Sequence, residues 1–330
     1  MTDVTCGTCG NQEDSSILTC GFCGEDMFPG CEMFVEKSFR RETLEVIETA
    51  RDIIADYSDQ GYALTLRQLY YQFVSRGLLP NTDKDYKRLG SVITDGRLAG
   101  LIPWDGIEDR GRGVKPWLIE ESVPSILKEL PSEYAADFWA DQDYYVEVWV
   151  EKDALSSVIQ RACAPLRVPY MACKGYLSAS EAYRSGKRFK EHGEMGKALR
   201  IIHLGDHDPS GIDMTRDNQA RVQMFSGMDV EIDRIALNRD QIDQYAPPPN
   251  PAKVTDSRAA DYIARHGRTS WELDALEPSV VVELIRNAVE PLIEDGAWAE
   301  AKAKESENKD LLRGVHRHWP DIEELLRGKG

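Results

Sequence analysis

Two carboxylates, Asp206 and Asp208, stand two positions apart in Leu204-Gly205-Asp206-His207-Asp208-Pro209-Ser210-Gly211, directly after the apolar run 198–204. A third, Glu151, directly follows a second such run, Tyr145-Val146-Glu147-Val148-Trp149-Val150. Both runs read as buried strands of a parallel sheet, and ligands of such sheets collect at the carboxyl ends of the strands. With no basic neighbour beside the Asp pair, Glu151, Asp206 and Asp208 suit a hard divalent cation. Magnesium prefers oxygen ligands and often bridges to phosphate, so the chemistry indicated is phosphoryl transfer. His207, between the two acids, reads as an accessory ligand or as a residue that only lines the loop.

A candidate nucleophile lies upstream in Arg67-Gln68-Leu69-Tyr70-Tyr71. Thr65 and Gln68 have capping-box spacing, and Leu66, Leu69, Tyr70, Phe73 and Val74 form one apolar helical face. Tyr70 falls within that face. Tyr71 falls off it, beside Arg67 four residues back. A guanidinium favours the charged form of a phenol and can hold a phosphate through two parallel hydrogen bonds. Such a tyrosine can attack a phosphodiester and form a covalent link. From the residues alone, a surface tyrosine stacked on a surface arginine is the favoured reading, because such i,i+4 neighbours are common.

These groups need elements to position them. From about residue 143 strands at 144–150, 168–173, 198–204 and 230–237 alternate with helices at 153–163, 178–192 and 212–224, a βαβ succession that implies a parallel sheet. Helices follow at 278–295 and 298–327, after the extended connector Pro247-Pro248-Pro249-Asn250-Pro251. Ahead of the sheet, helical periodicity covers 36–57, a stretch starting near Thr65, and a third from Asp83 to Ala99. The last turns Lys84, Lys87, Arg88 and Arg97 outward, and a glycine-punctuated stretch with Arg110 and Arg112 comes next. Three helices and a basic hairpin describe a winged helix, which sets its last helix in a DNA groove. A small helical subdomain with solvated charges is the alternative. The expected division is 1–33, 34–125 and 140–330.

The first of these segments holds Cys6, Cys9, Cys20 and Cys23 as two Cys-x-x-Cys-Gly knuckles. That set suits a closed, structural four-thiolate zinc ribbon. Cys163 and Cys173 read as buried, inert thiols, and Cys31 is left over.

The net charge of −17 opposes non-specific binding to phosphates, yet residues 60–117 carry nine Lys/Arg against six Asp/Glu. No apolar run approaches the ~20 residues of a membrane span, and the first residues lack the basic and apolar regions of a secretion signal. The expected location is cytoplasmic.

Taken together, Val150-Glu151-Lys152-Asp153-Ala154, Lys174-Gly175-Tyr176 and Asp206-His207-Asp208-Pro209-Ser210-Gly211, preceded by Arg67-Gln68-Leu69-Tyr70-Tyr71, resemble the topoisomerase VI A subunit and the related meiotic double-strand-break proteins. The resemblance spans roughly residues 40–300. It implies an α/β Toprim domain after a winged helix, and a homodimer in which Tyr71 of one protomer meets the metal site of the other. Glu151, Asp206 and Asp208 would hold magnesium and Arg67 would steady the scissile phosphate of double-stranded DNA, giving 5′-phosphotyrosyl breaks. Leu177-Ser178 and Glu181-Ala182 depart from the Pro-Asp and Thr-Arg usual in that family. No glycine-rich nucleotide loop is present, so strand passage would call for a separate ATPase subunit. Two other functions compete: a Toprim nuclease in which water replaces Tyr71, and a DNA-binding protein without catalysis.

Overall fold

A computed structural model describes the backbone of residues 3–5 and 12–14, and residues 31–108, 121–251, 256 and 258–328. Cys6, Cys9, Cys20 and Cys23 of the expected zinc ribbon, and Arg110 and Arg112 of the expected wing, lie outside the described residues. The strands β1 (Asp3–Thr5) and β2 (Gln12–Asp14) pair antiparallel.

Three helices form the first large unit. In α1 (Arg41–Asp59) the residues Ile47, Ala50, Ile53, Ile54 and Tyr57 are buried, the stripe expected of one helical face. The capping box opens α2 (Leu66–Ser75): Thr65 Oγ1 accepts from Gln68 N at 3.2 Å and Gln68 Oε1 from Thr65 N at 2.8 Å. In α3 (Asp83–Leu98), capped by Thr82, Leu89 and Ile93 turn inward. Gly96 is the close approach of α3 to α1, since a Cβ there would lie 3.3 Å from Ile47. The chain then returns to pair Ile107 with Leu64 in a parallel bridge.

After α4 (Val123–Glu133) comes the sheet: β3 (Tyr144–Val150), β4 (Tyr170–Ala172), β5 (Ala198–Leu204) and β6 (Val230–Ala236). These run parallel in the order β4-β3-β5-β6, with Val150 level with Leu204. The two central strands are those with the near-continuous apolar runs, as burial on both faces requires. Helices α5 (Ser156–Leu166), α6 (Ala179–Glu194) and α7 (Pro209–Ser226) connect them. Phe189 of α6 and Val222 of α7 pack with Trp149 and Ile201, while Ile159 of α5 packs with Val148 and Ile202 on the opposite face.

Beyond the sheet lie α8 (Arg239–Tyr245), β7 (Asn250–Pro251), α9 (Ala259–His266) and β8 (Thr269–Ser270), with β7 and β8 antiparallel. Helix α10 (Pro278–Val289) completes the core against α5. The single helix expected over 298–327 is two, α11 (Asp295–Arg317) and α12 (Trp319–Arg327). Pro320 explains the break: lacking an N–H, it is tolerated in the first turn of a helix and disrupts an interior. The chain is thus mixed α/β around a four-stranded parallel sheet among the described residues, and no described helix is long and apolar enough to cross a membrane.

Candidate active site

The ends of β3 and β5 build the first half of the site. Glu151 continues β3, and its Oε2 accepts from the backbone N–H of Asp206 at 2.8 Å. Asp208 caps α7, its Oδ1 accepting from Gly211 N at 2.6 Å and Ser210 Oγ at 2.9 Å. Gly211 cannot be replaced without movement, because a Cβ there would meet the Asp206 carbonyl oxygen at 2.3 Å. Beneath the loop, half-buried Arg234 of β6 donates to the carbonyls of Asp206 at 2.6 Å and of Gly205 and Gly211 at 2.9 Å. The loop therefore holds its shape by backbone bonds, leaving the Asp206 carboxylate to face the cleft.

The second half comes from more than sixty residues downstream. Trp271 pairs antiparallel with His207, N–H to carbonyl at 2.9 and 3.0 Å, and this carries Glu272 and Asp274 over the loop. Leu273 N donates to Asp206 Oδ1 at 2.8 Å. Carboxylate oxygens of Asp206, Glu272 and Asp274 then lie within 4.8 Å of one another. Of the acids expected to share a cation, Asp206 alone belongs to this group; Glu151 and Asp208 line the same cleft outside it, and each of the three also gives an oxygen to a backbone amide.

A lysine sits among these acids. Lys152 Nζ is 3.0 Å from Asp206 Oδ2, 2.9 Å from Asp274 Oδ1, and bonded to Glu272. The expectation that no basic group neutralises the Asp pair is corrected: Lys152 follows β3, and its neighbours in space are the acids after β5 and β8. Burial alone would push the Lys152 ammonium down, but Asp274, Asp206 and Glu272 together outweigh it and hold it well above its ordinary value. Burial raises Asp206, with Lys152 pulling the other way. Glu151 is likewise raised by burial, eased by the Asp206 amide and reinforced by Asp208.

Tyr71 and Arg67 of α2 face this cluster across a cleft of about 420 Å³ lined also by Glu151, Lys152, Asp206 and Asp208. Tyr71 is 3% exposed, as buried as Tyr70, because the Leu273–Ala275 turn packs against α2. Burial raises the Tyr71 phenol most, then Glu272 and Asp274; a hydrogen bond with Asn250 and the charge of Arg67 act in the opposite sense and are outweighed. Arg67 thus acts as expected in sign, though not in sum. Its guanidinium lies 3.8 Å from Glu272 and over the Tyr86 ring. Tyr70 is structural, as its place on the apolar face implies: its hydroxyl donates toward the Pro80 and Thr82 carbonyls and accepts from Thr82 N at 2.7 Å.

Other expected residues fall elsewhere. Lys84, Lys87 and Arg88 are exposed on α3. Arg97, expected to point outward, is half-buried: it stacks on Trp104 at 4.3 Å and donates to the Trp104 carbonyl at 2.6 Å, closing the loop after α3. The His207 ring packs among Tyr262, His266 and Trp271 with Nδ1 3.1 Å from the Leu237 carbonyl, away from the acids. Cys163 and Cys173 are buried free thiols, both pushed up to about 12 by burial. Glu272, Asp274, Arg234 and Asn250 escaped the sequence reading; the trace available was a pair of acids flanking one buried leucine in Glu272-Leu273-Asp274. Compared with known proteins, the chain matches no family model and no curated protein.

Proposed function

We propose that this cleft cleaves a phosphodiester of double-stranded DNA by tyrosine transesterification, with magnesium as cofactor, in the manner of a topoisomerase VI A subunit. One observation carries the reading: Tyr71 and Arg67 line the same cleft as Glu151, Asp206, Asp208 and Glu272. The donor set fits a hard divalent ion, since three carboxylates converge and Asp274 Oδ2 is buried with no hydrogen-bond partner. Asp206, Glu272 and Asp274 would hold the ion, Lys152 giving up its place among them, and the ion would supply charge neutralisation at the phosphate.

Arg67 would fix the scissile phosphate beside Tyr71. The phenolic oxygen bonds to phosphorus as the bond from phosphorus to the 3′-oxygen breaks. The phenolic proton passes to solvent, and the departing 3′-oxygen takes a proton from solvent. The product is a 5′-phosphotyrosyl end that can be resealed. Lys84, Lys87, Arg88, Arg110 and Arg112 would track the duplex in a winged-helix unit, and the zinc ribbon of Cys6, Cys9, Cys20 and Cys23 would be structural. The test is incubation with supercoiled DNA and magnesium, then detergent and protease. Covalent protein–DNA adducts that vanish in Tyr71→Phe support the reading.

The burial of Tyr71 and the upward push on its phenol favour a second reading, hydrolysis by water at the same carboxylates. Undiminished cutting by Tyr71→Phe, without adducts, selects it.

A further inference from the structure

We infer that Thr215 and His203 are positioning residues for the carboxylate cleft: together they fix the direction of Arg234, and Arg234 holds the loop that carries Asp206 and Asp208. This inference rests on the cleft being a cation site, as proposed above. It gives two side chains outside the cleft the task of keeping its acids aligned.

The sheet register brings these groups together. His203 of β5 and Arg234 of β6 are partners in the parallel ladder, so their side chains leave the same face. Helix α7 covers that face, its Val222 packing with Ile201 of β5, and Thr215 lies on α7 one turn after Gly211. Arg234 Nη1 donates at 2.9 Å both to the Gly211 carbonyl and to Thr215 Oγ1, while Nη2 serves the carbonyls of Gly205 and Asp206. Every one of these acceptors is a neutral oxygen, so none of these bonds aims the guanidinium through a salt bridge. Gly205, Asp206 and Gly211 belong to the loop that is being held and would move with it. Thr215 and, at 3.4 Å, the Leu237 carbonyl are the acceptors that tie Arg234 to the body of the domain.

The Thr215 hydroxyl has a defined direction. A guanidinium only donates, so Thr215 Oγ1 accepts from Arg234 and has its own hydrogen still to place. His203 Nδ1 stands 2.9 Å away and takes it, which leaves the imidazole proton on Nε2. The His203 ring is fully buried and also walls the loop. A Cβ on Gly205 would lie 3.0 Å from Arg234 Nη1, 3.1 Å from Glu151 Oε2 and 3.2 Å from His203 Cε1. Ring, guanidinium and carboxylate therefore close around the point where the loop leaves β5. The chain of bonds thus runs from the covered face of the sheet, through Thr215 and Arg234, to the backbone of the loop.

Thr215→Val removes the hydroxyl at nearly constant volume, and Thr215→Ser retains it. Val222→Ala, two turns further along α7, loosens the same helix without touching these bonds. Titrated with Mn²⁺ as the probe, Thr215→Val is expected to bind about tenfold more weakly than wild type, at the lower end of what supporting residues contribute. Thr215→Ser and Val222→Ala should bind as wild type does. His203→Gln, which offers no acceptor at the place of Nδ1, should match Thr215→Val. Wild-type affinity in Thr215→Val or His203→Gln, a loss shared by Thr215→Ser, or an equal loss in Val222→Ala overturns the inference. A second measurement needs no metal: amide hydrogen exchange over residues 205–211, read by mass spectrometry. Exchange there is expected to be about tenfold faster in Thr215→Val than in Val222→Ala, and equal rates overturn the inference. A wild type that binds no Mn²⁺ removes the cation reading, and the exchange rates then decide alone whether Thr215 and His203 hold the loop.

Discussion

Lys152 holds its ammonium 2.9 Å from the carboxylate of Asp274, a side chain with no exposed surface. The same ammonium reaches Asp206 and Glu272, so it neutralises the group of acids that would otherwise repel one another at close range. Removing one partner of a buried ion pair costs ~3–5 kcal/mol, because the remaining charge is stranded. Lys152→Met is therefore expected to lower the thermal midpoint in metal-free buffer and to regain more of it on adding magnesium than wild type does. An equal magnesium response in both proteins would separate Lys152 from the cation site.

The acids themselves should rank by position. Asp206→Asn, Glu272→Gln and Asp274→Asn each remove a carboxylate from the converging group, and each is expected to weaken Mg²⁺ or Mn²⁺ binding by at least the roughly 10–100-fold that supporting residues already contribute. Glu151→Gln and Asp208→Asn should act less on the ion and more on the loop. Calorimetric titration gives the order; a Glu151→Gln effect larger than that of Asp274→Asn would relocate the centre to the strand ends.

Gly211→Ala is expected to damage the site without touching a charge. The new Cβ would stand 2.3 Å from the Asp206 carbonyl and 2.9 Å from Glu151 Oε2, so the start of α7 must shift. Overpacking of this kind costs ~1–3 kcal/mol. Denaturant midpoints and cation affinity should fall together, and a variant with wild-type values for both would show that the loop yields freely.

The adjacent tyrosines should part company. Tyr70→Phe leaves Thr82 N without its 2.7 Å acceptor and frees the loop before α3, a loss of ~1–3 kcal/mol. Tyr71→Phe keeps the ring in place and is expected to cost under about 1 kcal/mol, in the range of one modest hydrogen bond, while abolishing adducts. The two variants are compared by urea unfolding and by the adduct assay.

Stability should also depend on His203, which is fully buried on β5 and pushed down to about 3 by burial and by Arg234. The folded state keeps it neutral while the unfolded chain takes up a proton near the ordinary value of about 6.5. Between those limits the unfolded state binds more protons. Stability is therefore full above pH ~6.5 and falls as the pH drops toward 3, on the order of 1.4 kcal/mol for each unit. Replacing His203 by Gln should flatten the slope of unfolding free energy between pH 6.5 and 4; an unchanged slope would assign acid sensitivity to other groups.

Much of this architecture is legible in the chain because it is local. The Thr65–Gln68 capping box, the apolar stripe of α1 and the four strands follow from periodicity and cap chemistry within a dozen residues of each feature. The acids after β3 and β5 are legible for the same reason, each being the first polar residues after an apolar run. Glu272 and Asp274 are not, because their place is set by the Trp271–His207 pairing across more than sixty residues, and no local pattern encodes that register. Lys152 was visible, but its role depends on which acids the sheet brings beside it. Arg97 shows the converse case: its helical position suggested solvent, and Trp104, seven residues on, folds back to cover it.

The Trp271–His207 bridge has a bearing on how the molecule can be divided. Because the acids that converge come from both sides of that bridge, a truncation ending before residue 271 would keep the whole parallel sheet and still forfeit two of the three acids of the candidate cation site. The convergence of these acids is a property of the closed polypeptide path, and engineered minimal versions must carry the segment through Asp274 to inherit it.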